Sequence, residues 1–195
     1  MRSSVLVLVA CVFAVSLSAR ADDATEAFRR MCLATHSDAA QALAEADHEG
    51  WMALPEPMLK EFEKTQFSHA QGRIRSTSSD LYILILGTGR PSQAVSIDMQ
   101  LCGVAEVPGA PEEFEAQGAA LAGVPKDTSF STDKSFYVWR EENGRRIAVT
   151  RNDPKAMSLI LGGGLTFLVT YSEEKKMSII MLAVPAAAKP ETGKP

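Results

Sequence analysis

Apolar residues recur along this chain in two rhythms, first that of a helix and then that of a strand. Over residues 23–33 the positions Ala27, Phe28, Met31 and Cys32 fall on one side of a helix, and Arg29 and Arg30 turn to water. A second stripe, Ala39, Ala42, Leu43 and Ala46, follows Asp38, whose carboxylate suits the free amides of a helix start. Gln41, three positions on, completes a capping box. Gly50 fits the left-handed residue that stops a helix, and Trp51 beyond it can fold back onto the last turn near Ala46. Pro57 opens a third, short helix with Met58, Leu59, Phe62 and Phe67 along one side.

The strand rhythm starts weakly at 71–76 and becomes plain at 81–86, LYILIL, where every position is apolar and both faces must be covered. Gly87, Gly89 and Pro91 then read as a hairpin turn. A phosphate-binding glycine loop would open onto a helix, and here Pro91 leads into another strand. In that strand Val95, Ile97, Met99 and Leu101 alternate with Ser96, Asp98 and Gln100, so one face is buried. Cys102 falls in the polar register. If it bonds to the first helix, either the strand end twists or bulges, or a helix covers that face.

Residues 111–122 form a weakly amphipathic crossover helix anchored by Phe114 and Leu121. Strands at 136–140 and 145–150 flank Asn143-Gly144, the preferred pair for a tight hairpin. Asn152-Asp153-Pro154 starts a short helix that ends at the glycines 162–164, and strands at 165–171 and 177–184 form a last hairpin. The pattern predicts an α+β fold, with N-terminal helices packed on an antiparallel sheet of about six strands.

The start of the chain changes this picture. Arg2, the apolar run 5–17 and Ala19-Arg20-Ala21 match a secretion signal cleaved before Asp22. The run is too short for a membrane span, which needs about 20 residues. Residues 8–11, LVAC, look like a lipobox at Cys11, but the apolar run continues past the cysteine and the later cleavage pattern fits better. The expected organisation is a signal peptide at 1–21, a single α+β domain at 22–184 and a disordered tail at 185–195. The mature chain keeps two cysteines, Cys32 and Cys102, and an exported pair in an oxidising compartment reads as one structural disulfide. It carries 18 basic and 24 acidic residues, an acidic balance that argues against nucleic acid as a partner.

Candidate chemistry is sparse. His36, Asp38, Asp47, His48 and Glu49 cluster in sequence, but the two histidines stand twelve positions apart across a helix break, unlike a zinc pair one turn apart, so no metal is expected. No cofactor loop appears. Serines and histidines, among them His69, are present without a GxSxG or SxxK setting. Arg140, Arg145, Arg146 and Arg151, with Arg73 and Arg75, offer a positive face for an anionic ligand, though Glu141, Glu142 and Asp153 stand ready to pair with them. Tyr137 and Trp139 share one strand face and could stack on a flat ligand, or cover helices instead.

FRRMCLAT, AAQALAEADHEGW and a central strand ending in cysteine together resemble exported proteobacterial proteins to which no activity is assigned. The resemblance covers most of the mature chain and implies a periplasmic location and this fold type. It transfers no catalytic residue. The expected function is a non-enzymatic envelope module that binds an envelope protein or an anionic envelope component, without cofactor. A metal-free hydrolase and an inhibitor or immunity protein with a protruding loop at 87–93 are the alternatives.

Overall fold

The computed structural model describes residues 19–186 apart from 66, 93–94, 96, 132 and 174–175. The apolar run 5–17, Cys11 and the end of the chain from residue 187 lie outside the described residues. Helix α1 (Ala19–Phe28) runs into a π-helical turn (Arg29–Leu33), and α2 (Ala39–His48) follows at a corner. Cleavage before Asp22 would remove the first three residues of α1. The Asp38 carboxylate accepts from the Gln41 amide at 2.9 Å, as a helix cap should. At the other end Gly50 takes φ +78°, and the Gly50 and Trp51 amides donate to the carbonyls of Asp47 and Ala46. That is the paired closure of a Schellman stop.

After β1 (Met52–Ala53), α3 (Glu56–Glu63) half-buries Met58, Leu59 and Phe62. Phe67 is not its fourth apolar residue: it begins β2 (Phe67–Ser76). Next come β3 (Leu81–Gly89), β4 (Met99–Val107), α4 (Pro111–Ala122), β5 (Lys126–Asp127), β6 (Ser135–Glu142) and β7 (Arg145–Ala148). The chain ends with α5 (Ala156–Leu161), β8 (Thr166–Glu173) and β9 (Met177–Pro185). The last strand thus runs one residue into the expected tail. Helix α5 starts later than its Asn-Asp-Pro signal, because the Asp153 carboxylate caps the turn before it through the Lys155 amide.

Every pairing is antiparallel, in the order β1-β2-β3-β4-β9-β8-β6-β5, with β7 also on β6. The sheet has nine strands, not about six. The excess comes chiefly from β1 and β5, two residues each, which are too short to show any period. The hairpin of β6 and β7 turns at Asn143 and Gly144, both at positive φ, as the Asn-Gly pair requires. Gly87 and Gly89 form no turn. They pair with Leu101 and Met99 inside the β3–β4 ladder, and the connection is the segment 90–98, with Pro91 and Val95 buried.

The sheet is covered on both faces. On one, Tyr82, Leu84, Leu86, Val104, Leu168 and Leu182 meet Phe28, Met31, Ala42 and Phe114 from the helices. On the other, Ile83, Ile85, Leu101, Phe136 and Phe167 lie under α3, α5 and the loop residues Val95, Phe130 and Leu165. This is why residues 81–86 are apolar throughout. Cys102 pairs with Leu86 in register and is fully buried on the helix face, where it is bonded to Cys32. A helix covering the nominally polar face, and not a bulge, brings the two cysteines together.

Candidate functional site

The open end of the sheet, where β2 begins and β3 ends, carries the two hollows with the most varied chemistry. Ser68 pairs with Thr88 and Gln71 with Leu86, so His69 and Ala70 of β2 lie opposite the single residue Gly87 of β3. The extra residue is a β-bulge, and His69 in it has φ +55°.

On the loop-covered face lies a cleft of about 590 Å³ walled by Glu63, Ser68, Arg90, Ser92, Asp98 and Lys134, with Phe67 as its apolar floor. Its charges are engaged: Arg90 Nε donates to Asp98 Oδ1 at 3.1 Å, and Glu63 Oε1 accepts from the Ala70 amide at 3.1 Å. Lys134 is half-buried with its ammonium 5.4 Å from the centre of the Tyr171 ring. Burial holds its pKa below the ordinary lysine value, and neighbouring Asp133 opposes that shift only in part. A desolvated ammonium in the wall of a polar cleft attracts an anionic or hydroxyl-bearing group more strongly than a solvated one.

On the helix-covered face a smaller hollow of about 140 Å³ lies between the start of α2 and the same strand ends. Ser37, His69, Gln71, Thr88 and Gln100 line it. Here a serine and a histidine share a wall. Ser37 Oγ makes no hydrogen bond to His69, and no carboxylate is among the described residues lining the hollow.

The residues singled out from sequence fall elsewhere. Tyr137 and Trp139 are 2 % and 1 % exposed, in the core they share with α4, and offer no stacking face. Burying an aromatic side chain of this kind contributes about 3 kcal/mol, which explains the placement. The arginines do not make one positive face. In the β6–β7 register Arg145 stands opposite Glu142 and Arg146 opposite Glu141, and alternation sends these neighbours to opposite sides of the sheet. Arg140 pairs with Glu142 at 2.9 Å. Arg146 lies 4.5 Å over the Trp139 ring and donates to the last carbonyls of α4, Leu121 and Ala122. Arg151 donates to the Ser129 carbonyl at 3.1 Å. Only Arg145 is exposed without a bond described here.

Arg73 grips Asp47 through two nitrogens, at 2.6 and 2.9 Å, and Arg75 lies over Trp51 and Tyr82. Glu49 pairs with Arg30 at 2.8 Å. Asp47 therefore holds α2 to β2 and Glu49 ties the end of α2 to the π-helical turn, and among the described residues no three histidine, cysteine or acidic side chains gather to hold a metal. Of the segment 87–93, residues 87–89 are strand and Pro91 is buried, while residue 93 lies outside the described residues. Lys134 and Ser37 left no trace in the pattern, and His69 stood there only as a histidine without a partner motif, because nothing in sequence marks a positive φ at a non-glycine residue or an ammonium beneath a distant ring. Comparison with protein-family models, with curated proteins and with solved structures finds no match to this chain.

Proposed function

We propose that this is an exported protein of the cell envelope that works by binding, holding an anionic or hydroxyl-rich group of an envelope partner in the cleft at the open end of its sheet. The half-buried Lys134 ammonium carries the reading, in a wall shared with Ser68, Ser92 and the Arg90–Asp98 pair. Partial burial strengthens the interaction between this ammonium and a ligand oxygen that reaches it. The export half rests on the signal pattern at 1–21 and on the Cys32–Cys102 bond, which suits an oxidising compartment. The resemblance to exported proteobacterial proteins agrees with it. Described helices are all too short or too polar to cross a membrane.

The test is capture from envelope extract with the oxidised protein, comparing wild type, Lys134→Glu and Arg145→Glu/Arg146→Glu. A partner held by wild type and by the double variant but lost in Lys134→Glu supports the cleft. Loss only in the double variant moves the site to the β6–β7 edge. Turnover of an envelope substrate with no captured partner would overturn the binding reading. Mass measurement of the protein from the periplasmic fraction tests export separately: a chain beginning at Asp22 is expected, and an intact Met1 in the cytoplasm defeats it.

A further inference from the structure

The 140 Å³ hollow at the start of α2 contains features that a fold does not ordinarily keep. Ser37 is 3 % exposed, and its Oγ has no hydrogen-bond partner. A buried hydroxyl left unpaired is unfavourable, and such exceptions in native structures call for an explanation. Ser37 also has φ +61°, its neighbour His36 φ +51°, and His69 across the hollow φ +55°. None is glycine, and each left-handed residue of this type is strained. The only other non-glycine residue at positive φ among those described is Asn143, in a turn that demands it. Two of these strained residues, Ser37 and His69, and one orphaned hydroxyl therefore line a single hollow.

The lining selects a ligand class. Ser37 and Thr88 supply hydroxyls, Gln71 and Gln100 amides and His69 an imidazole, so each can donate or accept and none is a carboxylate or an ammonium. An anion finds the start of α2 already answered by the Asp38 carboxylate, bonded to the Gln41 amide at 2.9 Å. A cation finds no carboxylate in the wall. The matching group is neutral, with a donor and an acceptor side by side. With liquid water occupying roughly 30 Å³ per molecule, the hollow has room for a few heavy atoms and part of whatever bears them.

We infer that this hollow is a binding site for a secondary carboxamide, the group shared by acetamido sugars and peptides, with Ser37 as the hydrogen-bond partner it leaves open. Gln71 and Gln100 can meet the carboxamide edge with complementary donors and acceptors. The site lies on the opposite face of the sheet from the Lys134 cleft and stands whether or not that cleft binds anything.

The experiment is an amide-resolved NMR titration of the oxidised protein, as the cell processes it, with N-acetylglucosamine, with N-acetylglutamine amide and with glucose. Saturable shifts at Ser37, His69, Gln71 and Thr88 are expected with at least one acetamide, and none with glucose. The acetamide that saturates at the lower concentration tells a sugar source from a peptide source. Ser37→Ala should weaken binding about fivefold to tenfold, the effect of one hydrogen bond, while thermal stability holds or rises because no hydroxyl is left stranded. Gln100→Leu should weaken it too, leaving the Lys134 cleft untouched. Absence of saturation at millimolar acetamide, equal shifts with glucose, or full binding by Ser37→Ala would overturn the site and leave a hollow for water.

Discussion

Two glycines matter here for unrelated reasons. A Cβ built on Gly50 meets nothing within 4 Å, so its only requirement is the left-handed backbone of the helix stop. Gly50→Ala should therefore cost about 1 kcal/mol. Gly118 has ordinary helical backbone, but a Cβ there would stand 2.5 Å from Thr170 Cγ2, so it sets how closely α4 approaches the sheet. In a free helix Gly→Ala would gain about 1 kcal/mol; against Thr170 we expect Gly118→Ala to lose about 1–3 kcal/mol. Urea denaturation of the two variants checks both values, and a stabilised Gly118→Ala would mean that α4 rides loosely on β8. Gly50 was legible in the sequence because a capped stripe ended at it. Gly118 was not, since its reason lies fifty-two positions away in the chain.

At the scale of elements, hairpins and helix ends were legible and covering layers were not. Asn143-Gly144, Asp38 and residues 111–122 all act locally, through turn and cap chemistry that short stretches encode. Strand faces depend on what packs over them. The polar register of Cys102 gave no sign of the helices that bury it, and the arginines of β6 and β7 looked like one cluster because linear proximity ignores alternation. The disulfide joins the π-helical turn to β4 across a sequence separation of 70. For a loop of that length the chain-entropy estimate is about 4 kcal/mol, so Cys32→Ala/Cys102→Ala should show a lower denaturation midpoint and, because the uncrosslinked unfolded chain is more expanded, a steeper slope. A second tether, Arg73 to Asp47, holds β2 to the end of α2. The hydrogen bond from Arg73 keeps the Asp47 carboxyl below its usual range. A depressed carboxyl stabilises the fold above its unfolded pKa and ceases to as pH falls through the folded one. Stability of wild type should thus fall more steeply below about pH 4 than that of Arg73→Ala, a difference that equilibrium unfolding from pH 6 to pH 2 would measure.

Over the whole molecule the double-sided core makes alkaline pH the other weak flank. Burial, reinforced by the charges of Glu106, Asp80 and Asp23, pushes the Tyr82 hydroxyl up to about 12. From about pH 10 the unfolded chain releases this proton and the folded chain retains it, so stability declines as pH rises through that window. Unfolding curves at pH 8 and pH 11 should separate for wild type and draw together in Tyr82→Phe. An equal decline in the variant would assign the effect to other groups, Tyr137 first, whose hydroxyl is also raised by burial.

Strand order holds a further consequence. The last strand of the described residues, β9, lies at the middle of the sheet, between β4 and β8. Until the ribosome has delivered it, everything before it is an arch without its keystone, with the inner edges of β4 and β8 bare and ready to take a strand from elsewhere. A chain ending at residue 176 should accordingly form oligomers, and a synthetic peptide of residues 177–185, MSIIMLAVP, should dissolve them by strand donation and restore amide protection along β4. In the export reading proposed above, the sheet would close only once β9 had followed the strands before it.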